Sequence, residues 1–191
     1  MNYLNWDIQF VLGFFLAASI RVSNELGAGH PKLARFSVFV VLATSISVST
    51  VFSVIVLVLR TPLSQLFTSD ESVIKAVSNL TPLLALSIFL NGIQSILSGV
   101  AIGSGWQALV AYVNLTTYYV IGLPVGCVIG FKTSLRGAGI WWGMILGIGL
   151  QATVLVTLTA RTNWNKEVEK AIDRLKKSAS EETQSLVDTV A

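Results

Sequence analysis

Residues 76–131 read AVSNLTPLLALSIFLNGIQSILSGVAIGSGWQALVAYVNLTTYYVIGLPVGCVIGF, and no Asp, Glu, Lys or Arg occurs among them. One crossing of a bilayer needs about 20 apolar residues, so this stretch is too long for one span and suits two with a turn between them. Gly103-Ser104-Gly105 breaks the apolar run and Trp106-Gln107 restarts it. The stretch also carries Asn91, Gln94, Gln107, Asn114 and the row Tyr112, Thr116, Thr117, Tyr118, Tyr119. Amides and hydroxyls in hydrocarbon are costly unless they find partners or line a wet cavity. The reading is therefore two membrane helices, each with a polar face that suits the lining of a path better than a wall against lipid.

The rest of the chain agrees. It is 53% hydrophobic and 12% charged, with a mean hydropathy of +0.70, whereas soluble domains carry about 25% charged residues. Its charges cluster at 21–35, 60–75, 132–136 and from Arg161 onward. The sequence predicts an all-α integral membrane protein with about five transmembrane helices, over 3–22, 36–59, 73–103, 107–131 and 137–160. The first is short in apolar residues and led by Asn5, Trp6 and Asp7. Residues 36–59 are rich in Val, Ile, Ser and Thr, a strand-like composition, but an isolated strand would leave backbone groups unpaired in lipid. Pro82 and Gly122-Leu-Pro-Val-Gly126 are expected to kink their helices. Gly139, Gly143 and Gly147 recur every four residues and form a smooth ridge for close helix approach. Trp141 and Trp142 suit an interfacial belt. Residues 161–178 carry Val168, Ala171, Ile172 and Leu175 at helical spacing, with Lys and Arg on the other face. This is an amphipathic helix for the membrane surface, and 179–191 read as a disordered tail.

The net charge of +3 is explained by basic residues at helix ends. No basic patch with interleaved aromatics points to nucleic acid. Cys127 is the lone cysteine and His30 the lone histidine, so neither a disulfide nor a thiolate metal site can be built. No His–carboxylate pair, nucleophile elbow or metal-ligand spacing suggests an enzyme. With five spans, the first loop, the Gly103 turn and the tail share one side. That side holds Arg21, Lys32, Arg35, Arg161, Lys166, Lys170, Arg174, Lys176 and Lys177, against Arg60, Lys75, Lys132 and Arg136 on the other. The carboxy terminus is therefore expected in the cytosol.

At 21–29 the chain reads RVSNELGAG, followed by HPKLARFSV. With 89–131, GIWWGM at 139–144 and RTNWNKEVEKA at 161–171, this resembles the plant multidrug and toxic compound extrusion (MATE, DETOXIFICATION) transporters. Residues 87–131 most resemble vacuolar flavonoid/proton antiporters of the TRANSPARENT TESTA type. The resemblance implies a twelve-helix protein of two lobes, of which this chain would hold helices eight to twelve. The amino-terminal lobe would then be supplied in cis or by a related chain in trans. It implies antiport of small aromatic organic solutes driven by a proton gradient, with no other cofactor and no metal. The vacuolar membrane is implied, with the plasma membrane as alternative, and Arg21, Asn24, Glu25, Gly27 and Gly29 form the signature loop. At the position matching Asn91 the family carries a carboxylate. An amide cannot exchange a proton, so Asn91 and Gln94 either hydrogen-bond a polyphenol or join helices. Tyr112, Asn114 and Tyr118 are cavity candidates with packing as the competing role, and they cannot all share one face. Gln151 is expected to make a helix–helix contact, and Arg21 to pair with Glu25. Asn114-Leu-Thr116 matches a glycosylation sequon but lies in a span.

Overall fold

The computed structural model describes the backbone of residues 2–65, 68–135 and 137–190, and their side chains apart from those of 2–8, 10, 186, 187 and 190. All regular structure among these residues is helical: α1 (Asn2–Gly27), α2 (Pro31–Val58), α3 (Arg60–Gln65), α4 (Glu71–Gly103), α5 (Gln107–Asn114), a π-helical segment (Leu115–Gly122), α6 (Leu123–Lys132), α7 (Gly137–Arg161) and α8 (Trp164–Val190). Four rods are long and apolar enough to cross a membrane: α2, α4, the continuous 107–132 rod and α7. The fifth span expected over 3–22 falls partly on side chains outside the described ones, but its helix lies against α2 and α4.

α4 is the central pillar, in contact with α1, α2 and α7. Its 33 residues reach about 50 Å. Pro82 sits inside it without ending it. Asp70 caps its start, with one carboxylate oxygen accepting from the Ser72 N–H at 2.8 Å and the Ser72 hydroxyl at 2.6 Å. These bonds, the Ser72 hydroxyl foremost, with the Val73 N–H, hold the Asp70 carboxyl below its ordinary range. The native form prefers the carboxylate, so the cap's contribution is present above the ordinary aspartate pKa. It fades as pH falls through the lowered value. The protection factors of the Ser72 and Val73 amides, taken relative to their intrinsic exchange rates at each pH, should therefore fall in acid. Asp70→Asn, an equally good cap, should remove that pH dependence while leaving neutral-pH protection near wild type.

Two kinds of small-residue contact bring the helices together. On α2, Ser45 donates to the Gly92 carbonyl at 3.1 Å and Ser53 to the Ala85 carbonyl at 2.5 Å. Ser49 lies where a Cβ on Gly92 would sit. On the α1 side of α4, a Cβ on Gly99 would meet the Phe15 carbonyl at 2.5 Å. Gly103 lies equally hard against the backbone of Ser19. With no hydrophobic effect between helices in lipid, such close approach and hydrogen bonding take over the work of association. Beside the buried apolar clusters, many large apolar residues face outward, as at Phe39, Val58 and Phe131, the last 83% exposed.

The structure corrects two local expectations. The stretch read as a polar loop from Arg21 is helical through Gly27, and only Ala28 to His30 turn. There Gly29 (φ +79°) takes the left-handed conformation while His30 N–H bonds the Glu25 carbonyl and Gly29 N–H that of Leu26, a Schellman cap. Gly105 (φ +85°) ends α4 the same way, through Trp106 N–H to Ala101 and Gly105 N–H to Ile102. The tail expected to be disordered from 179 is helix to Val190, stitched by side-chain bonds such as Gln184 to Asp188 at 3.1 Å.

Candidate functional site

Helical spacing places Ser87, Asn91, Gln94, Ser95 and Ser98 within about 100° of arc on α4. Gly92, Gly99 and Gly103, which meet α2 and α1, occupy a different face. Gln94 is buried and its hydrogen bonds are spent within the helix: its amide donates to the Ser98 hydroxyl at 3.1 Å, and its oxygen accepts from Ser95 at 3.4 Å. Ser87 bonds the Leu83 carbonyl at 2.9 Å. Asn91 differs. It is half-buried and makes no hydrogen bond to any described residue. It is therefore the member of this arc with free donors and acceptors.

The other candidates do not join it. Asn114 accepts from the Gln151 amide across the α5–α7 interface, so its oxygen serves helix association. Tyr112 is 72% exposed on α5, pointing away from the bundle. Tyr118 is half-buried in the π segment, its ring beside Gly147. No hydrogen bond links any of them to Asn91 among the described residues. A crevice between α1, α2 and α4, lined by Phe14, Ser49, Phe52 and Gly92, holds about 10 Å³. That is room for about one water molecule.

The glycine row of α7 meets a second row on the rod before it. A Cβ on Gly139 would lie 2.6 Å from the Gly130 nitrogen. Gly143 abuts Gly126 and the Gly122 carbonyl, and Gly147 lies near the Thr117 carbonyl. Gln151 follows on the same face and is fully buried.

At one end of the bundle, signature residues and tail converge. Arg21 pairs with Glu25 at 3.0 Å, His30 Nδ1 lies 3.4 Å from the other carboxylate oxygen, and Arg21 Nε donates to Ser37 at 3.3 Å. Asn24 and Gly27 lie in the last turns of α1; the Asn24 carbonyl accepts from Ala28 N–H at 2.9 Å, and Leu175 of α8 lies over Gly27. α8 also reaches the Gly105 turn. The Trp106 indole donates to Glu167 at 3.1 Å, and Arg174 donates to the Ser104 carbonyl at 3.0 Å. Lys170 pairs with Glu167 at 2.8 Å. Val168 of α8 joins the core formed by Val22, Leu26, Ala34, Ile96 and Val100. The first half of α8, read as a surface helix, is thus docked on the bundle as well. Glu167 is only 7% exposed. Its replacement by Ala should strand the Trp106 N–H and release the helix, at a cost of about 1.5 kcal/mol. Faster proteolysis at 166–177, with cleavage elsewhere unchanged, is the expected reading.

Sequence reasoning missed the Ser45, Ser49, Ser53 row, the Gly99–Gly103 contact and the π segment. The serine row has the same four-residue period as the α7 glycines, and that period is the signal that would have found it.

Residues 1–128 match the MatE family. The chain is 67% identical over 181 residues to Protein DETOXIFICATION 41 of Arabidopsis thaliana, covering 95% of this chain and 36% of that protein. It is 50% identical over 177 residues to Protein DETOXIFICATION 32 of the same plant, covering 93% and 34%. The crystal structure of the eukaryotic MATE transporter AtDTX14 superposes with a TM-score of 0.82 at 40% identity, covering 87% of this chain and 37% of that one. The chain thus spans about a third of the length of these relatives. With its apolar spanning rods, its tight helix contacts and these likenesses together, the chain belongs to the MatE family and is an integral membrane protein of the plant DETOXIFICATION type.

Proposed function

We propose that this chain forms the carboxy-terminal portion of a proton-coupled antiporter that moves aromatic organic solutes, such as flavonoid glycosides or xenobiotics, out of the cytosol. The remaining helices are supplied in cis or by a related chain in trans. The vacuolar membrane is the expected site, with the plasma membrane as the alternative, and the tail faces the cytosol. One observation supports the reading above the others. Asn91 keeps unspent hydrogen-bonding groups on the polar arc of α4, at a depth where lipid would penalise them. An amide serves a polyphenol's hydroxyls as donor and acceptor but cannot carry a proton, so coupling falls to residues elsewhere in the assembly.

The test is uptake into sealed vesicles under an imposed pH gradient, with a flavonoid glucoside as the solute. The chain is assayed alone and co-reconstituted with the amino-terminal two-thirds of a DETOXIFICATION relative. Gradient-dependent uptake by the pair, reduced by Asn91→Leu and not by Tyr112→Leu, supports the proposal. Equal uptake with Asn91→Leu removes Asn91 from the site. A second reading rests on the chain's span, a third of its relatives' length: a membrane segment that associates with a full-length relative without transporting. Co-purification with no uptake by the pair favours that reading.

A further inference from the structure

Where α8 meets the turn after α4, the two leave an open cleft of about 400 Å³, lined by Ser104, Gly105, Trp106, Lys170, Asp173 and Arg174 together with Glu167. That volume lies within the range of about 300–1,000 Å³ typical of small-molecule sites. The rods around the cleft set its depth in a bilayer. α4 ends at Gly103, the next rod starts at Gln107, α7 ends at Arg161 and α8 starts at Trp164. The first three have spanning length. Leu158 of α7 packs on the same cluster as Ile102 of α4, so both rods end on one side. The cleft therefore opens where the rods leave the hydrocarbon, at the level of lipid headgroups. Trp106 and Trp164 are residues of the type enriched at that level.

The charged groups of the cleft are unevenly engaged. Glu167 accepts from the Trp106 indole at 3.1 Å and from Lys170 at 2.8 Å, which leaves Lys170 with further ammonium hydrogens to donate. Arg174 Nε donates to the Lys170 carbonyl at 3.1 Å, and Nη2 to the Ser104 carbonyl at 3.0 Å. Its other terminal nitrogen, Nη1, makes no bond to a described residue. That nitrogen lies where a Cβ at position 105 would sit, so glycine there is what admits it. Lys170 and Arg174 stand one turn apart on one face of α8. Asp173 is exposed and has no hydrogen bond or ion pair to any described residue. Trp106 packs against Leu97, Val110 and Leu155 and also lines the cleft. The opening thus offers free donors on two cations, and a free carboxylate together with an indole.

We infer that this cleft binds the headgroup of a zwitterionic phospholipid, its phosphate on Lys170 and Arg174 and its ammonium at Asp173 and Trp106. Charged N–H donors suit phosphate oxygens. A carboxylate near an indole suits a cation, and an indole takes up a quaternary ammonium such as choline through its ring face. A wholly anionic headgroup, the usual occupant of basic pockets at this level, would face the Asp173 carboxylate with nothing to offset it. A bound zwitterion ties α8 to the Gly105 turn, beside the Trp106–Glu167 and Arg174–Ser104 bonds. The inference does not depend on what the protein transports, so its test is a binding measurement.

The full chain is purified in a maltoside detergent and titrated with an equimolar mixture of dioctanoyl phosphatidylcholine and dioctanoyl phosphatidylglycerol. Native mass spectrometry measures which lipid is retained. The expected result is a preference for phosphatidylcholine. Asp173→Asn keeps the size of a side chain that has no partner in the fold, so α8 stays docked. It should shift the preference toward phosphatidylglycerol by about two- to fivefold, the equivalent of one exposed ion pair. Lys170→Gln should lower the retention of both lipids. Equal retention by the wild type, a preference for phosphatidylglycerol, or a preference unmoved by Asp173→Asn overturns the proposal. Glycerophosphocholine, the same headgroup without acyl chains, is the soluble competitor. Bound phosphatidylcholine should survive an equal concentration of it. Displacement at that concentration would assign the cleft to a soluble zwitterion and overturn the lipid.

Discussion

Gly143→Val should unfold the α6–α7 pair. A Cβ at position 143 would run into the backbone of Gly126 and Gly122, with the Gly122 carbonyl and the Gly126 nitrogen each 2.5 Å away. These are main-chain atoms of a neighbouring rod, and no rotamer change can clear them. Overpacking a tight interior costs about 1–3 kcal/mol where side chains can give way. Here the rods themselves must part, so Gly143→Ala is expected near 3 kcal/mol and Gly143→Val beyond it. The control lies on the same helix. Gly149 has open space where its Cβ would go, and Gly149→Ala should stabilise the helix by about 0.4–1 kcal/mol through the unfolded chain's lost freedom. Thermal unfolding of the detergent-solubilised chain, followed by loss of monodisperse protein, separates the two. Equal Tm values for Gly143→Ala and Gly149→Ala would mean that the two glycine rows are not in contact.

These glycines mark the boundary of what was legible. Their four-residue period marks a smooth ridge on one face of α7 in the sequence itself. Their counterpart did not stand out, because Gly122 and Gly126 flank Pro124 and a proline draws the eye to a kink. The class of fold followed from charge segregation alone: once apolar runs of spanning length are placed in lipid, backbone satisfaction leaves helix as the only form open to α2, despite its Val, Ile, Ser and Thr. Polar roles were harder to read. Gln94 and Asn91 are three residues apart and look alike as letters. Ser98, one turn beyond Gln94, satisfies it, while nothing described satisfies Asn91. The π segment had no signature, because it depends on which carbonyl each N–H chooses. The tail was misjudged because its charge suggested a solvated coil, whereas the docked Glu167, Val168 and Arg174 anchor a helix that continues outward.

Gln151→Ala is the other large expected effect. Gln151 is fully buried, and its amide is the partner of the Asn114 oxygen. Truncation removes one methylene and a carboxamide from a closed interface. It also leaves the half-buried Asn114 oxygen without its partner, at a cost toward the low end of the about 1–3 kcal/mol of an unmet buried acceptor. With the cavity included, the total should be about 3 kcal/mol. Gln151→Leu keeps the volume and takes away an oxygen that had no donor, so only the Asn114 term remains and the cost should fall to about 1 kcal/mol. Asn114→Leu combined with Gln151→Leu removes both polar groups, and apolar side chains of similar size can then close the gap at little cost. A double-mutant cycle on these leucine variants isolates the amide–amide term. Pairwise hydrogen bonds between membrane helices average about 0.6 kcal/mol, because alternative partners are found when the native one is lost. A coupling near 1 kcal/mol is expected here, since a fully buried Gln151 has few substitutes within reach. If the double variant is as unstable as the sum of the single ones, the pair contributes no coupling and α5 is held to α7 by shape alone.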